Sequence, residues 1–213
     1  MINKYKGFVF DLDGVLTETS KAHFEAWQEL AVEMGIEVPE QTMDEVRGIS
    51  RLESLEIILG YAHSPIEYSY DEKVALATKK NNIYLDKIKA YSPSNLAEGT
   101  IELLELLKSN HIGIALASAS NNAPFLLKAM KIDHYFDAVV DPGSISKGKP
   151  APDIFMKACE MLGLEPHECV GVEDAEAGIE SIKSAGLHPI GIGKLLNCDE
   201  VYQDLKSLLD HLL

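Results

Sequence analysis

Two carboxylates separated by one residue, Asp11 and Asp13, stand in an Asp-Leu-Asp-Gly run directly after the apolar segment GFVF, and a second acidic pair, Glu173-Asp174, follows the apolar segment CVGV. Acids gathered at the ends of buried strands cannot all stay ionised comfortably without a cation among them. Oxygen ligands at that density suit Mg²⁺, which keeps several waters and prefers one or two carboxylates with a substrate phosphate. Beside such a metal, a carboxylate such as Asp11 can attack phosphorus and form an aspartyl-phosphate. Asp13 can hold the proton that the leaving or attacking hydroxyl needs. Ser118, after the segment IGIALA, can bind non-bridging oxygens together with nearby backbone N–H groups, and Lys149 brings positive charge to a highly charged transition state.

Each of these features has a plainer reading when taken alone. Asp-x-Asp-Gly is a common turn, since Asp and Gly favour that backbone geometry. Glu173-Asp174 fits the acidic first turn of a helix, Ser118 an ordinary helix start, and Lys149 a solvated loop position. Their joint occurrence, each after a buried strand, is what points to a site.

The elements that must position them alternate. Short apolar runs at Gly7–Leu12, Ile112–Ala117, Ala138–Val140, Cys169–Val172 and Pro189–Ile192 read as strands buried on both faces. Helical spacing separates them at Glu98–Ser109, with Ile101, Leu104 and Leu107 on one face, and at Pro152–Leu162 and Ala175–Ala185. This alternation implies an α/β fold with a doubly wound, Rossmann-like parallel sheet, in which ligands bind beyond the carboxyl ends of the strands. Val201-Tyr202 is a candidate edge strand and Leu205–Leu213 a closing helix.

The stretch Ser20–Ala90 breaks the rhythm with helical patterns and no strand. His23, Ala26, Trp27, Leu30, Ala31 and Met34 share a helical face that ends at Gly35, and further helices are expected over Arg51–Leu59 and Asp71–Lys89. The expected organisation is an α/β core of residues 1–16 and 92–213 with an inserted all-helical cap of residues 17–91, joined through Thr17–Ser20 and Tyr91–Leu96.

Composition narrows the partners. A formal charge of −15, with 34 acidic against 19 basic residues, excludes a general affinity for nucleic acid or an anionic membrane. No apolar run reaches membrane-spanning length, and MINKYKGFVF has no charged-then-apolar leader. Cys159, Cys169 and Cys198 offer neither a disulfide framework nor a zinc spacing, so a reduced, cytoplasmic protein is expected, working as a monomer on a small molecule.

With these motifs placed, the chain resembles the haloacid dehalogenase superfamily of phosphotransferases over essentially its whole length, from DLDGVLTET through ALASAS and KGKPAPD to GVEDAEAG. Within it, the chain is similar to the hexose phosphate mutases in Thr19–Phe24 with Ala26-Trp27, in Arg47-Gly48-Ile49-Ser50-Arg51, in Lys80-Asn81, and in Ser118-Ala119-Ser120 with Asn122. The resemblance implies Asp11 as nucleophile and Asp13 as general acid/base, and Asp11, Asp13, Glu173 and Asp174 as the candidate Mg²⁺ ligands. It further implies that Ser118, the Ala119 backbone and Lys149 bind the transferring phosphoryl group, and that Thr19 sits in the hinge with His23 near the acid/base. Arg51, Ser120 and Asn122 would hold a distal phosphate, and Arg47 and Lys80 the sugar. Two positions depart from the mutase pattern, since Asn121 and Arg47 both stand where that pattern has Lys, and a guanidinium fork is not equivalent to a point charge.

The implied activity is isomerisation of β-D-glucose 1-phosphate to glucose 6-phosphate through an aspartyl-phosphate and glucose 1,6-bisphosphate. The rival in the same superfamily is a sugar phosphatase. A non-catalytic binding module is disfavoured, because four acids held together without a metal would be electrostatically costly.

Overall fold

The computed structural model describes residues 4–64, 67–193 and 197–213, so the first three residues of the amino-terminal run lie outside the described residues. In chain order the elements are β1 (Gly7–Phe10), α1 (Ser20–Glu33), α2 (Thr42–Glu45), α3 (Arg51–Gly60), α4 (Tyr70–Ile88), α5 (Thr100–Ser109), β2 (Gly113–Leu116), α6 (Ala123–Ala129) and β3 (Ala138–Val139). They continue with α7 (Asp153–Leu162), β4 (Cys169–Glu173), α8 (Glu176–Ala185), β5 (His188–Ile192), β6 (Val201–Tyr202) and α9 (Leu205–Leu212).

The strands form one parallel sheet in the order β3-β2-β1-β4-β5-β6. The doubly wound α/β expectation holds, including β6 at the edge. Strand β1 has a partner on both sides, which explains why its four residues are all buried and show no alternation. Because the chain moves outward first to β2 and β3 and then returns to place β4 on the other flank, the order reverses at β1 and β4. Ligand crevices form at such a switch point, beyond the strand carboxyl ends.

The expected strand Gly7–Leu12 pairs only as far as Phe10. Beyond it the chain turns, with the Leu12 carbonyl accepting from the amides of Leu16 and Thr17 and with Gly14 at φ +83°. In α5 the buried face is Leu103, Leu104 and Leu107, while Ile101 is left 39% exposed. At 100° per residue, positions 103, 104 and 107 fall on one arc, and Ile101 lies off its edge. Helix α6 is not among the expected helices, although its buried residues Ala123, Leu126 and Leu127 have helical spacing; it is seven residues long and carries Pro124 in its first turn.

The chain divides into two compact units, one of Met1–Glu18 with Tyr91–Leu213 and the other of Thr19–Ala90. In the sheet unit, Val9, Ala115, Ile154, Phe155, Ile179 and Ile182 belong to one buried cluster that joins the strands to α7 and α8. The second unit contains α1 to α4 and no strand among the described residues. Its centre is Trp27, Leu30, Ala31, Ile36, Leu55 and Ile58. Helices α3 and α4 both begin with a capping box, Ser50 with Glu53 and Ser69 with Glu72, in which serine and glutamate satisfy backbone donors reciprocally.

Candidate active site

The sheet register brings the acidic residues of the sheet unit together. Phe10 pairs with Val172 on one side and with Leu116 on the other. One step further, the Asp11 amide donates to the Val172 carbonyl at 2.9 Å, and the Ala117 amide donates to the Phe10 carbonyl at 2.8 Å. Asp11 therefore leaves the ladder between Glu173-Asp174 on one flank and Ser118 on the other. Asp11, Ser118, Lys149, Glu173 and Asp174 are all buried.

Lys149 ties this group together. Its ammonium donates to Asp11 Oδ1 at 2.6 Å and to Glu173 Oε1 at 2.5 Å. Asp11 Oδ2 accepts from the Asp13 amide at 2.9 Å, and Glu173 Oε2 accepts from the amides of Asp174 and Ala175 at 2.8 and 2.9 Å. Burial pushes the Asp11 carboxyl well above the ordinary carboxylate range; Glu173 and Asp13 add to that rise, and Lys149 opposes it. Burial also works against the Lys149 ammonium, but Asp11 and Glu173 outweigh it and raise its pKa.

Oxygen atoms of Asp11, Glu173 and Asp174 lie within 4.8 Å of one another. Three carboxylates beside one ammonium leave two negative charges in a buried place, which a divalent cation with oxygen-ligand preference would neutralise. The donor set thus fits such an ion. Asp13, the fourth acid expected there, stands outside this group among the described residues. Glu173 has both oxygens engaged, so it orients the cluster as well as adding charge.

Two glycines make room for these acids, Gly14, which the motif reading took only as a turn residue, and Gly178, which it did not single out. A Cβ on Gly14 would lie 1.9 Å from Asp174 Oδ2, and one on Gly178 would lie 2.0 Å from the Glu173 carboxyl carbon. The available signal was position, since Gly14 closes the Asp-Leu-Asp-Gly turn and Gly178 falls five residues after Glu173.

On the other flank, the Ser120 amide donates to Ser118 Oγ at 3.1 Å and the Asn122 amide to Ser120 Oγ at 3.3 Å. Both hydroxyl oxygens act as acceptors inside the turn, and each keeps one O–H donor. Ala119 lies half-buried between them, and Asn121 is exposed. Elsewhere in this unit, Thr17 Oγ1 donates to the Asn95 carbonyl at 2.7 Å and the Tyr91 hydroxyl donates to the Glu18 carbonyl at 3.0 Å, tying its two connecting segments to each other.

The helical unit holds the remaining candidates. Thr19 is the buried N-cap of α1, and its carbonyl accepts the first helical bond, from the His23 amide, at 2.9 Å. Lys80 is buried on α4, with its Nζ 2.7 Å from His23 Nδ1. The His23 pKa is held well below its ordinary value by burial and by the positive charges of Lys80 and Arg51. Arg51 opens α3 and is half-buried, and burial lowers its pKa. Arg47 precedes α3, its Nη2 4.0 Å from Asp44 Oδ1.

The sequence candidates therefore gather as two sets. Asp11, Lys149, Glu173 and Asp174, with the Asp13 amide and the turn of Ser118, Ser120 and Asn122, are in the sheet unit; His23, Lys80 and Arg51 are in the helical unit. A doubly wound sheet with a buried aspartate, lysine and paired acids at its switch point defines a phosphotransferase-type site, and the family model for haloacid dehalogenase-like hydrolases matches residues 5–186. The chain belongs to that family.

Among individual proteins, it is 42% identical over 211 residues to the β-phosphoglucomutase of Bacillus subtilis, covering 98% of this chain and 93% of the relative. A phosphorylated carbohydrates phosphatase of Thermotoga maritima is 31% identical, covering 95% and 89%. The crystal structure of a β-phosphoglucomutase from Clostridium difficile superposes with a TM-score of 0.92 at 37% identity, covering 96% of this chain and 93% of that one.

Proposed function

We propose that the chain is a divalent-metal-dependent phosphotransferase that converts β-D-glucose 1-phosphate into glucose 6-phosphate through an aspartyl-phosphate at Asp11 and glucose 1,6-bisphosphate. The observation that carries this reading is that two separate cationic groups exist, buried Lys149 in the sheet unit and half-buried Arg51 in the helical unit. A bisphosphate intermediate needs two phosphate sites, and a phosphatase needs one.

Asp11, Glu173 and Asp174 would hold the Mg²⁺. When bound there, the ion supplies charge neutralisation for the phosphoryl oxygens. The chain's own residues carry the rest. Phosphorylated Asp11 passes its phosphoryl group to the 6-hydroxyl of glucose 1-phosphate while Asp13 takes the hydroxyl proton. The bisphosphate then reorients. Asp11 takes back the phosphoryl group from O1, and Asp13 returns the proton to that leaving oxygen. Ser118, Ala119 N–H and Lys149 bind the phosphoryl oxygens in both transfers. Arg51, with Ser120 and Asn122, holds the other phosphate, while Arg47 and Lys80 address the sugar. On the same reading Thr19 couples the proton-transfer residue to His23, and the chain works as a cytoplasmic monomer, with its three cysteines free.

The second reading is a sugar phosphatase, favoured by Asn121 standing where the mutase pattern has a cation. The deciding assay supplies β-glucose 1-phosphate, Mg²⁺ and a trace of glucose 1,6-bisphosphate, and follows both products by phosphorus NMR. Glucose 6-phosphate should dominate. Predominant inorganic phosphate would sink the mutase reading in favour of the phosphatase.

A further inference from the structure

Four buried or half-buried side chains of the helical unit interlock, three of them around the ammonium of the fourth. His23 and Trp27 are four residues apart on α1, and Lys80 and Tyr84 are four apart on α4, so each helix presents its pair on one face. The His23 and Tyr84 rings stack with centroids 3.9 Å apart and 29° between their planes. Lys80 Nζ lies 4.9 Å from the centre of the Trp27 ring and 5.1 Å from that of Tyr84. The same nitrogen is 2.7 Å from His23 Nδ1. One ammonium thus touches an imidazole and two ring faces at once.

The chemistry of the contact sets the proton on His23. An ammonium has three donors and no acceptor, so Nδ1 must accept, and the neutral ring then carries its proton on Nε2. Protonating Nδ1 instead would set two donors against each other and add a charge beside Lys80 and Arg51. The rings favour the charged form of Lys80, because the negative face of an aromatic ring attracts a cation more strongly once water is excluded.

We infer that Trp27 and Tyr84 are positioning residues, whose ring faces hold the Lys80 ammonium against His23 Nδ1 and thereby keep His23 as the neutral Nε2–H form that donates to the sugar phosphate. The last clause rests on the mutase reading of the site; the tautomer does not. Trp27 also packs into the apolar centre of its unit, so a loss of stability on its replacement would be uninformative. The proton position on His23 separates the two roles, because packing alone would leave it unchanged.

The experiment uses full-length protein with ¹⁵N-labelled histidine, comparing wild type, Tyr84→Phe, Tyr84→Leu and Trp27→Leu. Long-range proton–nitrogen spectra at neutral pH should show His23 protonated at Nε2 and bare at Nδ1 in wild type and in Tyr84→Phe, which keeps a ring face. The two leucine variants should show mixed tautomers. Their discharge of phosphoenzyme by β-glucose 1-phosphate should slow by about tenfold, with its formation from acetyl phosphate unchanged. A wild-type tautomer in both leucine variants overturns the inference even if the enzyme isomerises glucose phosphate. If circular dichroism shows that the leucine variants do not fold, wild type and Tyr84→Phe still decide. Nδ1 protonated in either one overturns it, whereas a failed mutase assay alone would overturn only the sugar phosphate reading.

Discussion

Lys149 and Lys80 are the two fully buried lysines of the described chain, and they are held in opposite ways. Lys149 lies between two carboxylates in a group whose charge stays negative, and those acids strengthen its hold on its proton. Lys80 lies over two aromatic rings and against a neutral imidazole, in a group where burial, with its own charge and that of Arg51, keeps His23 from protonating. The first arrangement suits a site that must take up a cation before it meets a phosphate. The second already has the sign a phosphate seeks. Each unit thus carries the electrostatic part the other lacks, and the experiments below set one against the other.

The largest effect should follow Asp11→Asn. A neutral amide is a poor nucleophile and a weaker metal ligand, so turnover should fall by on the order of 10⁴-fold or more. Mass spectrometry after acetyl phosphate treatment should find no phosphoprotein. Retained turnover or a retained adduct would place the nucleophile outside the sheet-unit cluster.

Lys149→Ala tests the charge balance of the same cluster through stability. Removing one partner of a buried ion pair leaves uncompensated charge and typically costs about 3–5 kcal/mol. In urea unfolding, the loss should be larger with chelator than with Mg²⁺, because a divalent ion would offset part of the exposed negative charge. Equal losses with and without the metal would argue against an ion among Asp11, Glu173 and Asp174.

Arg51→Ala addresses the helical unit. Truncating a charged partner of a desolvated group commonly costs about 2–5 kcal/mol, and here the loss should fall on β-glucose 1-phosphate and spare acetyl phosphate, which has no second anionic end. The readout is the ratio of kcat/KM for the two substrates. Parallel losses would detach Arg51 from any distal phosphate.

The same contrast explains what could be read from sequence. In the sheet unit every polar candidate follows a buried apolar run, and parallel pairing then fixes which strand ends are neighbours, so Asp11, Ser118 and Glu173-Asp174 could be placed together from motif order alone. Lys149 needed its chemistry as well as its position. What escaped were the spaces: Gly178 looked like an ordinary helix residue, because nothing in sequence reports that the Glu173 carboxyl occupies the place of its missing side chain. In the helical unit the site residues stand on three helices, with His23 lying 57 positions from Lys80, and helical spacing is equally the signature of a core face. His23, Lys80 and Arg51 were found by resemblance, and Trp27 read as packing. Tyr84 gave no signal, since its role depends on which face α4 turns towards α1.

The smallest expected effect is the pH dependence of stability contributed by His23. Its pKa in the folded protein lies below the ordinary value near 6.5 because of burial, with Lys80 and Arg51 acting in the same direction. In the unfolded chain the imidazole regains that ordinary value, so below about pH 6.5 the unfolded state binds more protons than the folded one. Stability from this source is therefore complete above about pH 6.5 and is lost as pH falls from there towards the depressed folded value, with a slope of at most about 1.4 kcal/mol per pH unit. Buried Asp11 works in the opposite direction, since a carboxyl with a raised folded pKa takes up protons in the folded state first. The two are separated by subtraction. Urea midpoints of wild type and His23→Gln, measured from pH 7.5 down to pH 5, should differ in slope only below about pH 6.5, with wild type the steeper. Identical slopes would mean that His23 titrates at an ordinary pKa in the folded protein, and the cationic character assigned to the helical unit would lose its electrostatic support.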